Sequence, residues 1–174
     1  MTIMKPKIFQ LAYVVADIDA AIGHWSKLMG VGPFFVVRRP NYIEQTYKGV
    51  RTNPEVSLAF AYSGECNIEL IELHDDQPSV YRDFVEQHGY GLQHLGALSD
   101  DIEADTRELS ERGALLAQSG LSAAGVETRF FDTGSPDGVM FELIAGSPQV
   151  VTNFEQMKMA ATSWDGLEAI AYDG

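Results

Sequence analysis

QLAYVVADIDAA, from Gln10 to Ala21, aligns with HLGALSDDIEAD, from His94 to Asp105, so that Leu11 falls on Leu95, Asp17 on Asp101, Ile18 on Ile102 and Ala20 on Ala104. Two further stretches repeat in the same order. VSLAFAYSG from Val56 lies over VETRFFDTG from Val126, and IELI from Ile68 lies over FELI from Phe141, which sets Glu69 on Glu142. The spacing between copies drifts while their order holds, as loop insertions and deletions produce, so the chain reads as two copies of one unit.

Each unit resolves into βαβββ. In the first, FQLAYVV is a strand and Asp17 caps a helix. In that helix Ile18, Ala21, Trp25, Leu28 and Met29 fall at helical spacing, and Gly30 closes it. PFFVV, VSLAFAY and NIELIEL follow as strands, with a turn at Ser63 and Gly64. The second unit runs LQHLGAL, a helix capped by Asp100 or Asp101 and ended by Gly113, then ALLAQ, TRFFD and VMFELIA, with SPDG as the last turn. PSVYRDFVEQHG between the units predicts a short helix with Val80 and Phe84 inward and Gly89 as its stop. TNFEQMKMAATSW predicts a carboxy-terminal helix with Phe154, Met157 and Ala161 on one side. The expectation is therefore one α+β domain over residues 1–174, with module 1 at about 7–75, a connecting helix at about 77–89, module 2 at about 90–147 and a helical tail at 148–174.

Composition bounds what such a domain can do. A hydrophobic content of 45% over 174 residues suffices for a core. Twelve Lys and Arg stand against 25 Asp and Glu, a net charge of -13 that repels nucleic acid and anionic membranes. Cys66 is the single cysteine, so no intrachain disulfide forms and a reducing compartment is expected. The amino-terminal stretch MTIMKPKIFQLAYVV reads as a first strand rather than a secretory leader, and no apolar run approaches the ~20 residues that cross a bilayer. A soluble, cytoplasmic protein is the expectation.

The repeat also pairs polar residues. Gln10 and His94 sit early in the first strand of their units, and Glu69 and Glu142 sit centrally in the last. A lone carboxylate in NIELIEL or GVMFELIAG can face solvent from one side of an antiparallel sheet, and a lone His94 would serve as a structural histidine. At equivalent positions of two units packed about a pseudo-twofold axis, the four read differently. A divalent cation facing two carboxylates, an imidazole and an amide oxygen would compensate the burial, leaving two positions of a six-coordinate ion for water or substrate.

FQLAYVVADIDAAIGHW, VGPFF, NIELIEL, GLQHLGALSDDIEA and DGVMFELIAG together resemble the glyoxalase, bleomycin-resistance and extradiol-dioxygenase group, the vicinal oxygen chelate superfamily, over nearly all of residues 7–147. The VGPFF turn, ELIELHDDQPSVY and the tail's Trp164-Asp165-Gly166 are similar to a glyoxalase-like subfamily. The resemblance implies a paired curved sheet, a homodimer, and a divalent ion (Zn, Ni, Co, Mn or Fe) held by Gln10, Glu69, His94 and Glu142. Extradiol dioxygenases carry a histidine where Gln10 stands, and methylmalonyl-CoA epimerases differ at Gln10 and Glu69. Eukaryotic glyoxalase I matches all four, but its glutathione-holding arginine and asparagine are replaced here by Val14 and Leu73.

The implied chemistry is that of a lyase or isomerase. A small substrate with vicinal oxygens is polarised by the ion, and a proton moves through a metal-bound enolate with Glu142 as base and Glu69 able to act from the opposite face. The rival readings are a non-catalytic small-molecule binder of the bleomycin-resistance type and an iron-dependent dioxygenase. Phe34, Phe35, Tyr62 and Phe130 are candidates for an apolar pocket, with core packing as the alternative. Arg38, Arg39, Lys48 and Arg51 form the local basic stretch that would hold an anionic group if they are not simply solvated. His74, Asp75, Asp76, Ser79 and Tyr81 follow the Glu69 strand and could border the cavity, whereas His24 and His88 read as helix-surface residues.

Overall fold

Alternation along β1 (Ile8–Val15) sends Gln10, Ala12 and Val14 to one face and Leu11, Tyr13 and Val15 to the other in the computed structural model, which describes residues 5–174. The first four residues of the stretch weighed above as a leader lie outside the described residues. Asp17 accepts from Ala20 N and starts α1 (Ile18–Met29), and Gly30, at φ 66, ends it in the left-handed conformation that favours glycine. The chain continues through β2 (Phe34–Arg38), β3 (Tyr42–Tyr47), β4 (Val50–Arg51), β5 (Val56–Ser63), β6 (Cys66–Leu73) and α2 (Val80–His88). The second unit comprises β7 (Gly91–Ser99), α3 (Ile102–Glu111), β8 (Leu115–Ser122), β9 (Glu127–Asp132) and β10 (Met140–Ala145), followed by α4 (Pro148–Ser163) and β11 (Ile170–Asp173). Asp101, not Asp100, caps α3. None of the helices among the described residues is long and apolar enough to cross a membrane.

All strands join one sheet in the order β11-β2-β5-β6-β1-β7-β10-β9-β8-β3-β4. Within each unit the first and last strands pair in parallel, β1 with β6 and β7 with β10, and the two units meet where β1 runs antiparallel to β7. Both expected βαβββ modules are thus present, related as the repeat implies. The outer face carries one apolar cluster per module, Ile18, Ile22 and Phe34 under α1 and Leu109, Phe131 and Leu143 under α3. The inner face carries a single cluster that unites Tyr47 of β3, near one end of the strand order, with Val56 of β5, near the other. The curvature of the sheet brings these together around a hollow, and Val80 and Tyr81 of α2 pack into the same cluster.

Two elements differ from the sequence reading. Residues 42–51 form a hairpin that leaves its own module and pairs with β8 of the other. Lys48 and Gly49 both have positive φ at its turn, the geometry of the two-residue connection that matches strand twist. The tail is more than a helix. Phe154 of α4 stacks edge-on against Phe9 of β1 and Phe60 of β5, and β11 extends the sheet beside β2. Trp164 lies so close to Gly32 that a Cβ there would meet the indole at 2.8 Å, which links the VGPFF turn to the tail's tryptophan.

Candidate metal centre

Two rows of cross-strand neighbours build the site. Gln10, Gly96 and Glu142 are aligned across β1, β7 and β10, and Glu69, Ala12 and His94 across β6, β1 and β7. The repeat carries one row into the other, Gln10 onto His94, Gly96 onto Ala12 and Glu142 onto Glu69. In each row the middle residue is small, so the polar groups on either side face one another over an open floor. Irregular pairing assists. Strand β1 has one extra residue at Phe9 and β7 one at Gln93, each immediately before its module's candidate ligand. Such bulges re-aim neighbouring side chains.

All four candidate residues come from one chain and are buried: Gln10 1%, Glu69 5%, His94 0% and Glu142 5% exposed. One ligand atom each from Glu69, His94 and Glu142 lies within 4.8 Å of the others. His94 Nε2 is 3.3 Å from Glu69 Oε2 and 3.2 Å from Glu142 Oε2. Neither approach is aligned as a hydrogen bond, so the ring nitrogen points between the carboxylates. At the other side of the ring, Nδ1 donates to Gln93 Oε1 at 2.6 Å, so that in the neutral ring the lone pair lies on Nε2. Gln10 Nε2 donates to Asn67 Oδ1 at 3.0 Å, and Asn67 in turn donates to the Ala61 carbonyl. That orients Gln10 Oε1 away from Asn67, buried and without a partner. Two carboxylates, one imidazole nitrogen and one orphaned amide oxygen suit a divalent ion of the transition series.

Charge settles accordingly. Burial raises the Glu69 pKa, with His94 opposing and Glu142 reinforcing the rise. Burial alone would lower the His94 pKa, but Glu142 and Glu69 overcome it and push it up to about 9. A raised folded-state pKa stabilises the fold below the unfolded value and loses that stabilisation as pH climbs through the folded value. Metal-free protein is therefore expected to lose on the order of a few kcal/mol between about pH 6.5 and 9. Metal-loaded protein should show the opposite trend, since an ion competes with the His94 proton. Thermal melts with and without chelator across that range check both slopes.

Gly96 was not singled out by sequence, yet a Cβ there would collide with Gln10 Oε1 and lie 3.0 Å from Gln10 Cβ. Gly96→Ala should displace the Gln10 amide, cost ~1–3 kcal/mol and weaken ion binding about tenfold or more, read by melting temperature and metal titration.

The remaining candidates separate. Phe130 packs edge-on against the His94 ring at 5.1 Å, and Tyr81 against Phe130 at 5.6 Å. Tyr62 is buried, with Phe154 of α4 close by on Phe60, whereas Phe34 belongs to the outer core under α1. Burial, then Glu69 and Glu142, raise the Tyr42 pKa, and burial, then Tyr42, Glu142 and Glu69, raise that of Tyr81. Both phenols therefore stand within electrostatic reach of the carboxylates.

The basic stretch is occupied by its own protein. Arg38 pairs with Asp19 and Asp173, Arg39 with Glu55, and Lys48 with Asp83, while Arg51 reaches the Ile43 carbonyl. His74 bonds Ser57, Asp75 accepts from Glu55 and Gln77 backbone, Asp76 pairs with Arg82, and Ser79 caps α2. Of those five residues, Tyr81 belongs to the inner-face cluster. His24 is exposed, and His88 lies against Phe84 and Gly138.

The chain matches the model of the Glyoxalase/Bleomycin resistance protein/Dioxygenase superfamily over residues 9–131. No curated protein sequence matches it. Among solved structures, a hypothetical protein from Bacillus halodurans is similar with a TM-score of 0.62 at 20% identity, over 84% of this chain and 98% of that one. Methylmalonyl-CoA epimerase from Mycobacterium tuberculosis aligns with a TM-score of 0.59 at 21% identity, over 83% and 91%. The Streptomyces coelicolor methylmalonyl-CoA epimerase in complex with 2-nitronate-propionyl-CoA aligns with a TM-score of 0.57 at 16% identity, over 83% and 97%. The shared architecture is the vicinal oxygen chelate fold.

Proposed function

The chain belongs to the Glyoxalase/Bleomycin resistance protein/Dioxygenase superfamily, and from that premise we propose that it is a metal-dependent lyase or isomerase moving a proton on a small substrate with neighbouring oxygens. The observation that carries this reading is the convergence of Glu69, His94 and Glu142 in a buried hollow beside an amide oxygen, Gln10 Oε1, that has no partner. An ion bound there would polarise a substrate carbonyl and stabilise developing negative charge by several kcal/mol.

The protein's own groups do the rest. Glu142 takes the proton and Glu69, on the opposite side of His94, is placed to return one. Burial raises the Glu69 pKa above the usual carboxylate range, which makes it a better proton acceptor than a solvated glutamate. Gln93 holds the His94 ring in one tautomer, and Phe130 shields that ring from water on one side. Two of the similar structures described above are named as methylmalonyl-CoA epimerases, which favours proton exchange at carbon. A coenzyme A thioester fits less well. Its phosphates would meet a chain of net charge -13 in which Arg38, Arg39 and Lys48 already have acidic partners.

Protein purified without chelator is expected to carry one divalent ion per chain. In deuterium oxide it should exchange a carbon-bound proton of some member of a panel of 2-oxo aldehyde hemithioacetals, acyl-CoA thioesters and vicinal diols. Absence of any bound ion would sink the reading.

A further inference from the structure

Next to the candidate ligands the inner face holds polar groups that the proton-transfer reading leaves unused. Gln118 of β8 is 1% exposed and Gln45 of β3 is 4% exposed. Gln118 lies across from Phe130, which lies across from Glu142, and Tyr47 across from Gln118, so a row of side chains runs from the carboxylate to the hairpin on one face. Gln45, two residues before Tyr47, shares that face and stands opposite Gly120, where the Tyr42 ring and the Gln45 stem lie within contact distance of an added Cβ. Gln118 Oε1 accepts the Val80 N–H at 3.0 Å, which fixes the amide orientation and leaves Nε2 as a buried donor with no partner. Gln45 Oε1 is a buried acceptor with no partner.

Leaving buried amide groups unpaired costs ~1–3 kcal/mol each, so a ligand or ordered water must complete them. Strand spacing puts β8 and β3 about 10 and 14 Å from β10 along the sheet, distances that its curl and the inward-pointing side chains shorten. That gap fits a substrate a few bonds longer than its chelating end. The groups offered are a neutral donor and a neutral acceptor. With two carboxylates already in the hollow, Arg38, Arg39 and Lys48 engaged by acids, and Arg51 opposite Thr46 on the other face of the hairpin, the described residues offer an anionic tail no counter-charge there. We propose that Gln45 and Gln118 form a recognition wall for an uncharged group bearing both donor and acceptor, a primary amide or its equivalent, at the end of the substrate remote from its neighbouring oxygens. This inference rests on the metal-site reading above and specifies its substrate class.

Hydroxamates present neighbouring oxygens to a divalent ion and serve as probes. Calorimetric titration of the metal-loaded full chain compares succinamide monohydroxamate with its carboxylate counterpart, succinic monohydroxamate, and with the isosteric methyl ketone, levulinic hydroxamate. The amide is expected to bind at least tenfold more tightly than either. Gln45→Met keeps the side-chain length and removes the unpaired oxygen. It should abolish the preference over the methyl ketone, leave levulinic hydroxamate affinity within about twofold, and melt no lower than wild type, since a polar group without a partner gives way to an apolar one. A structural glutamine would instead lower the melting temperature on replacement and leave the preference intact, which overturns the proposal. Equal binding of all three probes to wild type does so too, and assigns the amides to bound water. Metal content measured on the same samples separates the failures: an ion without an amide preference defeats this inference alone, and no ion defeats the proton-transfer reading beneath it.

Discussion

His94→Ala is expected to abolish stoichiometric ion binding and to lower the melting temperature at neutral pH by about 10 °C or more. The imidazole is the nitrogen donor of the set and, in metal-free protein, the cation between two carboxylates that are each 5% exposed. Without it Glu69 and Glu142 face each other with no counter-charge. Breaking a buried ion pair from one side costs ~3–5 kcal/mol, and each kcal/mol moves the midpoint of a chain this size by ~2–4 °C. Protonating Glu69, whose pKa burial already raises, relieves the repulsion, so the deficit should shrink as pH falls toward 5. Metal analysis and melts at two pH values read both effects. Unchanged ion content and an unchanged melting temperature would show that His94 is only a packed ring.

Glu142→Gln should separate binding from chemistry. The amide preserves shape and one oxygen donor but cannot take a proton, so carbon-proton exchange should fall by a factor on the order of a hundred to ten thousand. Ion content should survive at higher metal concentration, since Gln10, Glu69 and His94 are untouched. Glu69→Gln is the control. If it, and not Glu142→Gln, stops exchange, the base works from the other face and the product has the opposite handedness.

The repeat made the site legible because chemistry and symmetry coincide: Glu69 with Glu142 and Gln10 with His94 are polar pairs in otherwise apolar strands, and the structure brings Glu69, His94 and Glu142 together. The same alignment held a further signal, Ala12 over Gly96, whose meaning needs the register that makes each the small middle residue of a row. Gln93 was hidden for a related reason. Alternation assigns the residue before His94 to the opposite face, and only the irregular pairing of β7 turns it toward the ring. The hairpin at 42–51 had local evidence in the alternation of YIEQTY and the Lys48-Gly49 turn, but its partner strand is set by tertiary closure. The basic stretch misleads in sequence because Asp19 and Asp173, which hold Arg38, are distant along the chain.

That hairpin also bears on how the chain is made. Thr46 and Ser119, which bond across β3 and β8, are 73 positions apart. A ribosome adding about 5–20 residues per second takes roughly 4–15 s to cover that interval. For that time β3 is an orphan edge with Tyr47 and Gln45 exposed, beside a first module whose other strands can already pair among themselves. Nascent chains of this protein are therefore most prone to sticking after β6 has emerged and before β8 has, and the inner wall of the hollow closes only once strands of the second module arrive.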